Sequence, residues 1–139
     1  MKKLVIFSMV SILLLPLLAA GCGGGASTIE LSLENFSAQN NIVKNVELGK
    51  SDSLTVRLGS NPTTGYEWGD AEISNAAVIA QKSHDYIAPD TELMGAPGTD
   101  VWVFESQGTG SATIKFSYGQ PWENGEKDAF TLTINVTVK

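Results

Sequence analysis

The sequence predicts an all-β domain, and its last two apolar runs carry most of the prediction. Ala112, Ile114, Phe116 and Tyr118 alternate with Thr113, Lys115 and Ser117, and Phe130, Leu132, Ile134, Val136 and Val138 alternate with Thr131, Thr133, Asn135 and Thr137. A two-residue apolar period belongs to strands with one face in a core and one in water. Beyond residue 21 no segment repeats its apolar residues at helical spacing, and turn-forming clusters punctuate the whole stretch. About seven or eight short strands separated in this way point to an immunoglobulin-like β-sandwich, whose two sheets each keep one hydroxyl-rich wet side.

Residues 1–21 stand apart as a targeting segment. Met1-Lys2-Lys3 is basic, Leu4 to Leu18 is apolar apart from serines and Pro16, and Ala19-Ala20-Gly21 leads to Cys22. The run is too short for a comfortable membrane-spanning helix. A secretory leader ending in small residues and an immediate cysteine resembles a bacterial lipobox, with Ala19 where leucine is usual. Acylated Cys22 would then be the mature N-terminus, and the expected location is extracytoplasmic, lipid-anchored to a membrane. Cys22 is the only cysteine, so an intramolecular disulfide is excluded.

Removing Lys2 and Lys3 with the leader leaves 7 basic against 15 acidic residues, a formal charge of −8. Such a balance argues against nucleic acid as a partner, and it leaves membrane attachment to the lipid alone.

Residues 22–28, with Gly23-Gly24-Gly25-Ala26-Ser27, have nothing to pack and are expected to form a flexible tether, so the domain proper is assigned to 29–139. Ile29 to Leu33 alternates and is the first expected strand. Ser37 to Asn41 reads as loop, Ile42 to Leu48 as a weaker strand, and Gly49 to Asp52 as a turn. Leu54, Val56 and Leu58 face one way in the next strand. Tyr66 to Trp68 follows, with Glu67 on the opposite face, and then a longer polar strand from Val78 to Ile87. Ala88 to Asp100 is expected as a loop, and Val101 to Glu105, β-prone on both faces, as a central strand.

Three connections stand out as a possible binding edge: 61–66, 93–100 and 119–123. In the first, Pro62 locks its own φ and biases Asn61 toward extended geometry, while Gly65 can take positive φ. Between them Thr63 and Thr64 are β-branched and stiff, so a partner ordering this loop would lose little entropy. Strands running up and down can bring all three connections to one end of a sandwich.

At these residues the chain resembles the chagasin family of inhibitors of papain-like cysteine peptidases, over roughly residues 42 to 138. Asn61-Pro62-Thr63-Thr64-Gly65-Tyr66 is similar to that family's Asn-Pro-Thr-Thr-Gly-aromatic motif in full, and Trp68 follows at the family's position. Gly95-Ala96-Pro97-Gly98 resembles its Gly-x-Gly-Gly motif, with Pro97 for the middle glycine. Gln120-Pro121-Trp122 resembles its Arg-Pro-aromatic motif, with Gln120 for the arginine. The resemblance implies a reversible inhibitor, not an enzyme, whose first loop enters the catalytic region while the other two grip the cleft walls. It needs no cofactor, and such a wedge works as a monomer. An alternative from another class is an immunoglobulin-like surface binding or adhesion module without inhibitory activity, favoured by Pro97 and Gln120.

Other chemistry finds little support. His84 is the only histidine and is expected to be solvated on a polar strand. It has no cysteine besides Cys22 for a nucleophile pair, and neither a serine triad nor a histidine-based metal site follows from one histidine. Asp85, Asp90, Glu92 and Asp100 lack an EF-hand pattern. Glu123, Glu126 and Asp128 are expected to be a solvated loop face, and Trp68 and Trp102 to be core.

Overall fold

The apolar faces that alternate along the sequence meet between two sheets. In the computed structural model, which describes residues 25–91 and 93–139, one sheet has the order β1 (Ala26–Leu31), β3 (Ser53–Ser60), β7 (Gly98–Ser106), β6 (Ile79–Ile87). The other has the order β2 (Asn41–Leu48), β9 (Phe130–Val138), β8 (Gly110–Gly119), β4 (Glu67–Trp68), and β5 (Glu72–Ile73) also pairs with β8. Together they form an immunoglobulin-like β-sandwich. The leader and Cys22 lie outside the described residues.

The core is built from the expected faces. Leu54, Val56 and Leu58 of β3, Trp102 and Phe104 of β7, Ile114 and Phe116 of β8, and Leu132 and Ile134 of β9 are fully buried. Phe116 meets Trp102 edge-on at 4.8 Å, so the two sheets interlock through aromatic rings. Trp68 is buried as well, and its indole N–H donates to the Gly59 carbonyl at 2.9 Å. The placement of Val101 to Glu105 at the centre holds, since β7 lies between β3 and β6.

Three expectations are corrected. The first concerns the tether. Ala26 to Leu31 pair parallel with Ser53 to Leu58, so the first strand begins within the stretch assigned to the tether. Strand pairing uses backbone groups, for which small side chains are no obstacle. The strand's start is fastened by Asp52, whose carboxylate accepts from the amides of Gly25 (2.6 Å) and Gly49 (2.7 Å).

The second is a helix, α1 (Leu33–Ala38), where none was expected. Six residues are too few to display a helical period. The helix is held by its cap: Ser32 Oγ accepts from the Asn35 amide, and Asn35 Oδ1 accepts from the Ser32 amide at 2.8 Å. It delivers Phe36, fully buried, against Trp68 (5.1 Å) and Phe130 (5.6 Å).

The third is the loop assigned to Ala88 to Asp100, which ends at Pro97. Gly98 opens β7 opposite Ser60 and is buried. A Cβ there would collide with the Tyr86 hydroxyl and with the Ile87 carbonyl, so the close approach of β6 requires glycine.

His84 is exposed on β6, as expected, yet it also packs on the core. A bulge between Gln81 and Ser83 shifts the register so that His84 lies opposite Trp102. Its ring stacks on the indole at 4.2 Å with a 10° tilt, and Nε2 lies 2.8 Å from Asp100 Oδ1.

Directions now define two poles. β3 ends and β4 begins at the upper pole, where α1 and the three motif-bearing connections also gather. The turn Gly49 to Asp52, the β7–β8 connection and Lys139 occupy the lower pole, where the Lys139 amide donates to the Leu48 carbonyl at 2.9 Å.

Candidate functional site

At the upper pole Pro62–Thr64 form one 3-10 turn, started by proline in its first turn and ended by Gly65 at φ +84°. The amides of Thr64 and Gly65 donate to the carbonyls of Asn61 and Pro62, both at 3.1 Å. The Thr64 hydroxyl donates to the Asn61 carbonyl at 2.7 Å, and the Thr63 hydroxyl to Asn61 Oδ1 at 2.6 Å. Pro62, Thr63 and Thr64 are exposed, yet each threonine is tied from below. The result is a blunt, pre-shaped projection.

Asn61 turns out to be a brace. Its Nδ2 donates across to the Gly95 carbonyl at 2.8 Å, linking the first loop to the second, and its own amide donates to the Tyr118 hydroxyl at 3.2 Å. Gly65 also touches the third loop: a Cβ built on it would lie 2.9 Å from Trp122 Cη2. Glycine is needed there for both its φ and its lack of a side chain. The first motif therefore touches each of the other two, through Asn61 to Gly95 and through Gly65 to Trp122.

The third loop holds its shape internally. Gln120 Oε1 accepts from the Glu126 amide at 2.8 Å, and the Gln120 amide donates to the Glu126 carbonyl at 2.7 Å. Lys127 Nζ donates to the carbonyls of Gln120 and Trp122, the latter at 2.8 Å. Gln120 thus faces its own loop, whereas Pro121 and Trp122 face solvent, with Trp122 50% exposed. Gly95, Ala96 and Pro97 line the second loop, with Gly95 at φ +80° and the Ala96 amide donating to the Leu93 carbonyl. Of the residues assigned to the three motifs, Gly98 alone is buried.

Two kinds of residue at this pole escaped the motifs. Leu93 and Met94 are large, apolar and almost wholly exposed, at 75% and 101%. Adjacent exposed apolar residues on a braced loop tip are the signal by which they could have been found. The other is Glu126, which accepts a hydrogen bond from the Tyr66 hydroxyl and so ties the first loop's end to the third loop. Beneath them Tyr66, Trp68 and Phe130 all stack or tilt against Tyr118, at 5.9, 4.9 and 5.7 Å, forming an aromatic floor. An open groove of about 460 Å³ runs from Leu33 and Ser37 past Thr64 and Tyr66 to Glu126.

The Glu126 carboxylate holds the Tyr66 phenol above its ordinary pKa of 10.0, first by accepting its proton in a hydrogen bond, with desolvation and charge repulsion adding to this. A raised folded-state pKa means that this group's contribution to stability is present below the unfolded value and fades as pH climbs through the folded one. Ultraviolet titration is expected to show one tyrosine ionising above pH 10, and Glu126→Gln to bring it back toward 10; an unchanged titration in the variant would remove the link. Among the described residues no three His, Cys, Asp or Glu side chains gather as a metal site.

Fold and site together define an immunoglobulin-like sandwich carrying three loops at one pole, the first in contact with both of the others. Residues 47–134, more than half of the chain, match the family model described as chagasin family peptidase inhibitor I42. The chain belongs to the chagasin family of peptidase inhibitors. It is similar to chagasin of Trypanosoma cruzi, with 29% identity over 101 residues covering 70% of this chain and 89% of that one. Amoebiasin-2 of Entamoeba histolytica is 26% identical over 89 residues, covering 64% and 72%. Among solved structures, a cysteine protease inhibitor from Entamoeba histolytica has a TM-score of 0.65 at 22% identity, covering 84% of this chain and all of that one. PbICP-C, solved in complex with falcipain-2, has a TM-score of 0.60 at 18% identity with the same coverage. These two likenesses speak to the fold.

Proposed function

We propose that this protein reversibly inhibits papain-like cysteine peptidases, seating Pro62–Gly65 in the active-site cleft with the 93–97 tip and Pro121-Trp122 against its walls. The observation that carries the reading is the meeting of three motif-bearing loops at one pole, each braced by another. The 3-10 turn explains why such an inhibitor escapes cleavage. A peptidase cuts an extended segment, and here the carbonyls of Asn61 and Pro62 are already engaged inside a closed turn. Three loops together can bury a standard-size interface of about 1,600 Å². The complex of PbICP-C with falcipain-2 supports a peptidase as the partner. Acylation of Cys22, with an extracytoplasmic, membrane-anchored location, completes the proposal and draws on the leader sequence.

Purified mature chain titrated into papain is expected to abolish activity at micromolar concentration, with recovery on dilution. Absence of inhibition there would overturn the proposal. Trp122→Ala is expected to weaken inhibition by about 30-fold, or ~2 kcal/mol, because half-exposed aromatic rings on rigid loops are the usual anchors of such interfaces. Met94→Ser should cost about fivefold, ~1 kcal/mol, and leave the melting temperature unchanged, since the side chain touches nothing in the free domain. Parent-like inhibition constants for both variants would take the flanking loops out of the interface.

A second reading, a binding or adhesion module without inhibitory activity, draws on Gln120, whose side chain is spent on its own loop. Capture from envelope proteins of a non-peptidase ligand, by a chain that fails against papain, would favour it.

A further inference from the structure

The fold determines at which end the chain enters the sandwich relative to the three loops. β1 and β3 run parallel, with Ala26 beside Ser53 and Leu31 beside Leu58. The chain therefore enters the sandwich at the lower pole, where β3 begins, while Pro62–Gly65 project from the pole where β3 ends. From Ser53 to Ser60 is roughly 23 Å at about 3.3 Å per residue. The point of entrance is fastened: Asp52 holds the Gly25 amide and the neighbouring Gly49 amide, and the Ser106 hydroxyl donates to the Gly49 carbonyl at 2.6 Å while accepting from the Asp52 amide at 3.0 Å. Only Gly23 and Gly24 stand between Cys22 and that clamp. Three Cα steps reach at most about 11 Å.

A free tether of residues 22–28 would have let the domain lie on any side. With the strand starting at Ala26 the leash is too short for that, and the mature formal charge of −8 further disfavours a sideways approach to anionic lipid. We propose that lipid on Cys22 holds the sandwich upright, lower pole against the membrane, so that the three loops face the aqueous phase roughly 25 Å or more from the lipid and meet a soluble peptidase arriving from outside. This rests on the lipid reading of Cys22. The chain is then a membrane-fixed guard, and its target is not a peptidase lying flush on the same bilayer.

The single cysteine permits a direct test. Mature chain is coupled through Cys22 to maleimide-lipid vesicles, and a second form carrying Cys22→Ser and Ala38→Cys is coupled at the exposed end of α1, at the loop pole. Inhibition of soluble papain by the Cys22-coupled form is expected within about twofold of the free chain, and by the Ala38→Cys-coupled form to be at least about tenfold weaker. Brominated lipids should quench Trp122 in the second form only, with Trp122→Phe counterparts subtracting the buried Trp68 and Trp102. Equal inhibition by both coupled forms, or quenching of Trp122 in the Cys22-coupled form, would overturn the proposed orientation. Failure of the free chain to inhibit papain overturns the inhibitor reading alone, and the quenching comparison still decides the orientation. A native Cys22 that mass spectrometry finds unmodified overturns this proposal together with the lipid reading.

Discussion

Thr64→Glu is expected to weaken inhibition of papain by at least about a hundredfold, or ~2.7 kcal/mol, while the domain still folds. Two losses combine. The threonine hydroxyl that donates to the Asn61 carbonyl disappears, which loosens the turn that makes the projection blunt. A carboxylate is also carried into a closed cleft, where an unpaired charge costs several kcal/mol in desolvation. Thr64 is exposed in the free protein, so the thermal midpoint should move little. Thr64→Ser keeps the hydroxyl and should retain most of the inhibition. A glutamate variant that inhibits like the parent would place Thr64 outside the cleft.

Phe36→Ala carries the largest expected stability effect, a loss of about 3–5 kcal/mol. Phe36 is fully enclosed, and its ring contacts Trp68 and Phe130, which in turn pack on Tyr118 beneath the first loop. Truncation leaves a cavity between α1 and the sheet that the backbone cannot close without moving one of them. Chemical denaturation should show a lower midpoint with a similar slope. Because the cavity lies under Tyr66 and Tyr118, inhibition should fall with it even where the variant is still folded. A change below about 1 kcal/mol would mean that the helix is a surface ornament and not part of the core.

These two residues differ in how far the sequence announces them. Thr64 sits between Pro62 and Gly65, and the local chemistry of those neighbours is enough to describe its turn: the proline occupies the first turn of the 3-10 segment and the glycine takes positive φ, as their covalent structures favour. Phe36 lies in a segment with no period and no neighbour to mark it. Its burial follows from a two-sided gap between distant elements, β4 and β9, which no local pattern contains.

The same division runs through the loop pole. Motif matching brought Asn61, Gly98 and Gln120 forward as contact residues, and in the folded chain Asn61 is a brace, Gly98 a buried point of close approach and Gln120 a fastening within its own loop. Leu93, Met94 and Glu126 had no motif and proved exposed or loop-linking. His84, alone and polar in the sequence, stays exposed but stacks on Trp102 because one extra residue in β6 sets it opposite that ring.

By itself the sequence determined the two-residue periods, the face each apolar residue would bury, the shape of the Pro62–Gly65 turn and the three loops worth watching. Each follows from interactions within a few residues: pleating, fixed or permissive φ, and side-chain branching. Tertiary structure alone decided that β1 lies parallel to β3, that a capped helix plugs the upper pole, that Asn61 reaches Gly95 and Tyr66 reaches Glu126, and that the chain enters opposite the loops. Those are pairings between residues tens of positions apart. Which partner a backbone strand or a polar group takes depends on the whole packed arrangement, because many partners are locally equivalent until the core closes.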